Sequence, residues 1–204
     1  MVLGSPLLAP QLLAFPYKVE TRLGTVWSDQ ALDRAMLEKA VARAADRLAA
    51  SPLAEPDERR WIFVTDGGWR WLYVANVASD AFAITRPFSP AVTINRTDPA
   101  SGTVRNGFEV GGQRTLAGVL AHEITHGMIR RRYGILAERG LPPWKVEGYC
   151  DHVAGESSLD DDEAAALVAS GGYHPALVYL EGRRRVEAIL RANGGSVDAL
   201  FLSE

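Results

Sequence analysis

The sequence predicts an α+β domain in which an N-terminal helix and a small mixed sheet are followed by a helical half. Three observations predict it. Apolar positions recur at helical spacing from about Asp29 to Ala50. Short apolar runs bounded by Gly, Pro and Asp then replace that period between Trp61 and Asn95. From Arg114 onward the spacing is helical again, broken by Gly134, Pro142-Pro143 and Gly171-Gly172. The 204 residues, 47% hydrophobic and 23% charged, suit one domain. A chain of this length buries roughly 70% of its unfolded surface and needs no covalent staple.

The elements follow in order. Residues 1–20 read as an N-terminal arm ahead of a single domain over 21–204. Met1 to Phe15 is apolar but interrupted by Pro6 and Pro10, with no preceding Lys or Arg, so it matches a signal peptide poorly. It is too short to span a bilayer. An arm packed on the domain is expected. The alternative is the remnant of a membrane anchor, which would allow membrane association or a periplasmic location in place of a cytoplasmic one. The first helix is capped by Ser28 or Asp29 and ended by Ser51-Pro52. Trp61 to Val64 reads as a strand turning at Asp66-Gly67-Gly68. Trp69 to Val77 suits either a strand or a short helix. Ala81 to Thr85 and Ala91 to Asn95 read as strands joined through Pro87 and Ser89-Pro90. Asp98 to Gly112 is a Gly-rich loop with at most one short strand, at Phe108 and Val110. Helices are expected over Arg114–Tyr133, Trp144–Ala154, Asp161–Ser170 and Pro175–Ala192. The run Asp160 to Glu163 suits a helix N-terminus rather than calcium, because EF-hand spacing is missing.

Charge and cysteine content exclude several functions. Twenty-two basic against 25 acidic residues give a net charge of -3, which argues against nucleic acid as the main partner. The single cysteine, Cys150, excludes an intrachain disulfide framework and a Cys-rich zinc knuckle; a small buried side chain is expected there. Arg130-Arg131-Arg132 and Arg183-Arg184-Arg185 read as solvated helix faces. The tryptophans read as core. Nothing in the sequence indicates the oligomeric state.

One constellation points to chemistry. His122-Glu123-Ile124-Thr125-His126 places two imidazoles four residues apart on one helix face, within reach of one metal ion. Chance produces roughly 0.005 such matches in a chain of this composition. The alternative is a pair of buried, hydrogen-bonded histidines without metal. Gly118 and Gly127 cost helix propensity, which implies close packing against the helix. A catalytic zinc usually takes three protein ligands. Glu147 is the best third candidate, because the connection through Gly134 to Pro143 lets the next helix return antiparallel. Asp151 shares the Glu147 face and is placed to accept the second N–H of one histidine. His152, about 140° round that helix, is a weaker ligand candidate. A solvated Glu147/Asp151 pair is the alternative, opposed by the apolar residues around them.

These residues resemble a known family. His122 to His126, followed by Trp144-Lys145-Val146-Glu147-Gly148-Tyr149-Cys150-Asp151, is similar to the gluzincin metallopeptidases of the thermolysin-like superfamily. Small bacterial members carry a Trp-x-x-Glu-Gly segment after the HExxH helix. The resemblance covers residues 114–156 and implies a zincin-like minimal catalytic domain with one catalytic zinc. It implies His122, His126 and Glu147 as zinc ligands, Glu123 as general base and Asp151 as the partner of His122. The chain departs from the family at His152, where many members have Tyr, and a pared-down catalytic core without a long propeptide or a large C-terminal helical domain is expected. No third histidine stands at metzincin spacing.

The expected function is zinc-dependent hydrolysis of peptide bonds in a peptide or protein substrate. Zinc lowers the pKa of its bound water toward about 7. Glu123 takes the proton and delivers it to the leaving amine. The oxyanion needs a second donor. His174, Tyr173, Tyr179, Tyr149 and His152 are candidates, with His174 and Tyr179 preferred because their segment follows the metal helices. Gluzincins pair an edge strand with the substrate backbone; Ala91, Val92, Thr93, Ile94 and Asn95 are the first choice for it, and Ala81 to Thr85 the second. The alternatives are a catalytically silent zinc-bearing domain that binds peptide or protein, and a metallohydrolase of a non-peptide amide.

Overall fold

The computed structural model describes residues 5–171 and 174–202. It is a mixed α/β structure with the α+β order that the sequence predicts: a sheet-rich first half, then helices. Five strands, β1 (Tyr17–Thr21), β2 (Gly24–Ser28), β3 (Arg60–Thr65), β4 (Ala83–Thr85) and β5 (Ala91–Arg96), form one sheet in the order β1-β2-β3-β5-β4. β2, β3 and β5 run parallel, while β1 and β4 close the two edges antiparallel. Helix α1 (Arg34–Ala49) connects β2 to β3, and α2 (Trp69–Ala75) precedes β4. A parallel pair needs such a crossover, because a tight turn cannot reverse the chain direction twice.

The alternation of strand residues divides the packing between two faces. Val26, Ile62, Val64, Val92 and Ile94 point into the main core with α1 and α3 (Leu116–Tyr133). On the other face Trp27 stacks on Phe63 with ring centroids 4.9 Å apart, and Phe15 packs on Phe63 at 5.2 Å. The arm 5–16 lies over this face with one 3-10 turn, Pro10–Leu13. The sequence boundary at residue 20 therefore falls inside β1, a strand whose half-exposed residues give little alternation to read.

Helix α1 begins at Arg34, capped by Asp33, later than the Ser28 or Asp29 expected. Those earlier residues have other bonds to make. The Asp29 amide donates to the Val64 carbonyl, its carboxylate accepts from the Asp66 amide, and Gln30 donates to the Thr97 carbonyl. Trp69–Ala75 is helical. The Gly-rich stretch forms a hairpin of two strands, β6 (Thr103–Arg105) and β7 (Gln113–Thr115), with Phe108 and Val110 exposed in its connection rather than in a strand.

The helical half comprises α3, α4 (Ile135–Gly140), α5 (Pro143–Ala154), α6 (Asp161–Ala169), α7 (Pro175–Ala192) and α8 (Val197–Leu202); α4 and α8 were not expected. Asp160 caps α6 in a reciprocal box with Glu163, as the acidic run predicts. Helices α5 and α7 cross at two glycines. A Cβ on Gly148 would come 2.4 Å from the Gly182 backbone, and one on Gly182 would come 2.8 Å from the Trp144 carbonyl oxygen. This close approach sets the position of Glu147, the residue before Gly148. Gly118 likewise leaves room for the Glu156 carboxylate and Gly127 for Arg60.

The expectation for the substrate strand is corrected. The residues Ala91, Val92, Thr93, Ile94 and Asn95 belong to β5, which is bonded to β3 on one side and β4 on the other. All five are buried, so this strand has no free edge for a substrate. The edge is β4, the second choice. The arginine runs lie on helix faces, with Arg131, Arg132, Arg184 and Arg185 exposed, and most are ion-paired. Arg130 pairs with Glu138, Arg131 with Glu58 and Glu55, and Arg132 with Asp198. Arg183 and Arg184 pair with Glu187 and Asp161, and Arg185 lies over the Trp144 ring at 3.7 Å.

Glu58 ties α3 to the start of β3, accepting from Arg131 and, at 2.9 Å, from Arg60. Burial pushes its pKa up, but the two arginines outweigh this and hold it below the usual carboxylate range. A lowered folded-state pKa adds stability above the unfolded value, near 4.3, and that stability is lost as pH falls through the folded value. Glu58→Gln is expected to cost about 2 kcal/mol at pH 7, less than the ~3–5 kcal/mol of a wholly buried pair because Arg131 is partly exposed. Urea melts at pH 7 and at about pH 3 check this. The wild-type advantage should shrink in acid, and an advantage independent of pH would contradict it.

Candidate metal centre and cleft

Helix α3 is buried along most of its length. Thr115 caps it by accepting the Gly118 amide. His122 and His126 stand one turn apart with ring centroids 5.1 Å from each other. Facing them from α5 is Glu147. One of its carboxylate oxygens, Oε2, lies 3.2 Å from His122 Nε2 and 3.6 Å from His126 Nε2. Donors coordinated tetrahedrally at ~2.0–2.1 Å are separated by roughly 3.3 Å, close to these two nitrogen–oxygen distances. His122, His126 and Glu147, the three residues singled out in the sequence, thus lie together.

Both histidines are fixed from behind. His122 Nδ1 lies 2.8 Å from Asp151 Oδ1, the pairing expected for Asp151. His126 Nδ1 lies 3.2 Å from Glu138 Oε1, a partner the sequence reading missed. In a neutral imidazole that donates Nδ1–H to the carboxylate behind it, Nε2 would offer its lone pair to a metal beside Glu147. Glu138 is itself held by Arg130 Nε at 2.6 Å, and Arg130 reaches Thr85 of β4 at 3.3 Å. A signal existed: Arg130 stands four residues after His126 on the same helix face, and Glu138 follows the break at Gly134.

Asp151 has no solvent exposure. Arg114, in the middle of β7, donates to its Oδ1 at 2.9 Å and to the Glu156 carbonyl at 3.0 Å, and Ser157 donates to its Oδ2 at 2.9 Å. Burial pushes the Asp151 carboxyl up, but Arg114 and His122 overcome it and keep the group ionised. Burial opposes charge on His122 too, and Asp151 and Glu147 reverse that effect. Glu147 behaves likewise: burial raises it, and the two histidines hold it far below the ordinary carboxylate value. The sequence carries no signal for Arg114, Glu156 or Ser157, because the contact joins a hairpin strand to the far end of α5.

Cys150 adds a second possible donor. A ligand atom of Cys150 and one of each histidine lie within 4.8 Å of one another. The thiol is fully buried, and burial pushes it up to about 11. Glu147 differs in that one oxygen touches both Nε2 atoms and the side chain borders the open cleft.

That cleft holds about 400 Å³ between β4, α3 and the start of α7. Glu123, largely buried, lines it beside the histidines. Ala83, Ile84 and Thr85 form one wall, and His174 and Tyr179 another. Both preferred donor candidates thus reach the cleft. They are not equivalent. His174 caps α7, its Nδ1 accepting the Ala176 amide at 3.2 Å, and its ring packs edge-on against Phe108. Burial, then the Glu147 and Asp151 carboxylates, push the Tyr179 hydroxyl up to about 12, so it stays a protonated donor. Two other candidates are turned to different tasks. Tyr149 hydrogen-bonds Ser51 at 2.8 Å, and His152 lies 3.6 Å from Glu187, which removes it as a ligand candidate as well. Tyr173 lies outside the described residues.

Compared with protein-family models, with curated proteins and with solved structures, the chain matches none. Among the described residues, no helix is long and apolar enough to cross a membrane.

Proposed function

We propose that the chain is a zinc-dependent peptidase of gluzincin type, built on a zincin-like minimal catalytic domain. The observation that carries the reading is the convergence of His122 Nε2 and His126 Nε2 on one oxygen of Glu147, with both Nδ1 atoms already committed to carboxylates. A divalent cation at that point would neutralise the Glu147 carboxylate where it faces the two imidazoles. The edge strand beside the same cleft supports the peptide part of the reading, since a free sheet edge can bond an extended chain.

The roles follow from position and charge. His122, His126 and Glu147 would hold the metal, and Asp151 and Glu138 orient the two imidazoles. Zinc bound there supplies a water of lowered pKa, near 7, and polarises the scissile carbonyl. Glu123 takes a proton from the attacking water and returns it to the departing amine nitrogen. β4 positions the peptide through backbone hydrogen bonds. Tyr179 donates to the carbonyl oxygen as it gains negative charge.

Two measurements follow. Zinc-loaded protein incubated with an unbiased peptide library should cleave some members, lose that activity to a chelator and regain it with zinc. A zinc-loaded chain that cleaves no peptide would overturn the reading. Tyr179→Phe should lower kcat by roughly 10²–10³-fold with KM little changed, the cost of one oxyanion donor. An unchanged kcat would remove Tyr179 from that role.

A further inference from the structure

The sheet face opposite α3 carries an apolar surface that hydrolysis does not use. Three segments build it: the arm 5–16, α2 with the turn Asn76–Ala78, and the connection from β4 to β5. They are one unit. Leu7 and Pro10 of the arm border a small cavity with Val74 of α2 and with Ile84 and Ser89. The Ser89 hydroxyl donates to the Leu8 carbonyl at 2.8 Å. Leu8 and Leu12 are exposed on the arm, and Trp69, Leu72 and Tyr73 on α2. Val77 and Phe88 protrude furthest, 95% and 89% exposed.

The polarity of this face is inverted. Residues 5–17, 71–79 and 87–95 contain no Asp, Glu, Lys or Arg. Of the charged residues that bound these stretches, Arg70 and Arg86 turn inward and pin the segments together, while Lys18, Asp80 and Arg96 stay exposed at the rim. Arg70 donates to the carbonyls of Leu13 and Ala14, each at 3.0 Å, and Arg86 to that of Val74 at 2.6 Å. Exposing large apolar side chains while folding guanidinium groups beneath them forgoes favourable hydration on both counts. Backbone strain gathers here too. Ala14, Asn76 and Phe88 have φ of 53°, 52° and 67°, and they are the non-glycine residues with positive φ among the described residues. All three lie in these segments, and the turns at Asn76 and Phe88 thrust Val77 and Phe88 outward. Such strain persists where the surrounding structure enforces it and is concentrated at functional places.

We propose that this face docks on a lipid bilayer, with Val77 and Phe88 inserting among the acyl chains and Trp69 and Tyr73 at headgroup depth. The shape favours lipid over protein. Isolated protruding side chains need a matching pocket each on a protein, whereas a fluid bilayer accommodates them as they stand. Trp and Tyr are suited to the boundary, with an apolar body and one polar handle. Charge is confined to the rim and is of both signs, so the attraction is apolar and a zwitterionic surface suffices. The inference does not depend on the metal site.

The test uses the full chain and phosphatidylcholine vesicles, alone or with phosphatidylglycerol. The chain is expected to float with both, at low and high salt. Its tryptophan emission should be quenched by acyl-chain-brominated phosphatidylcholine, mostly through Trp69, so that Trp69→Phe loses most of the quenching. Val77→Asp and Phe88→Asp should each lower vesicle partition roughly 10-fold or more, with unchanged thermal midpoints. Should either variant fail to fold, wild-type quenching decides alone. The absence of both flotation and quenching would overturn the proposal. So would binding that requires phosphatidylglycerol and disappears in salt. A dimer in sedimentation, dissolved by the same substitutions, would overturn it in favour of a second copy of this chain.

Discussion

Glu123→Gln is expected to retain one zinc per chain and to lose peptide hydrolysis by roughly 10²–10⁴-fold, the range of a general base. Glu123 lines the cleft beside His122 and His126 but belongs to neither the Glu147 contact nor the carboxylates behind the rings. The amide has nearly the shape of the carboxylate, so packing and ligation should survive, while its capacity to take a proton from water at neutral pH is gone. Metal content and kcat measured on the same preparation separate the two effects. Activity within tenfold of wild type would mean that Glu123 is not the base. Loss of metal together with activity would mean that it supports the ligands rather than the chemistry.

Arg114→Met is the largest stability effect expected. The Arg114 guanidinium is almost wholly enclosed and neutralises Asp151, which has no exposure at all. Removing it leaves a buried carboxylate with His122 and Ser157 as its remaining partners. Breaking a buried pair by deleting one member costs about 3–5 kcal/mol, because the remaining charge is uncompensated. Denaturant melts of the metal-free protein should show that loss. Zinc affinity should fall about 10–100-fold as His122 loses its orientation. Arg114→Lys keeps the charge without the planar fork and should recover part of both. A metal-free Arg114→Met protein as stable as wild type would show that Asp151 does not depend on this cation.

What the sequence revealed of fold and site followed the range of each interaction. The His122–His126 pair and the Glu147–Asp151 pair are helical neighbours, so spacing alone brings each pair to one face, and the Gly134–Pro143 break implies the antiparallel return. The carboxylate behind His126 was harder to find, because it depends on α4, a six-residue helix too short to show a period. Arg114 was invisible, since its contact with Asp151 joins a hairpin strand to a distant helix and leaves no local pattern. The sheet failed for a related reason. Ala91 to Asn95 looked like an accessible strand, but strand order is set by crossovers, and α2 and the antiparallel β4 place β5 inside the sheet. Tyr17 to Ser28 hid a hairpin because β1 is a half-exposed edge strand with little alternation.

The central claim is that His122, His126 and Glu147 form the metal site, with Cys150 beside it but outside it. Zinc content by plasma mass spectrometry on wild type, Glu147→Ala and Cys150→Ser, all purified without added metal and then reconstituted, tests it most directly. The account predicts near one zinc per chain in wild type and Cys150→Ser, with clear loss in Glu147→Ala. Wild-type protein that holds no zinc even after reconstitution would contradict it, as would zinc retained in Glu147→Ala but lost in Cys150→Ser.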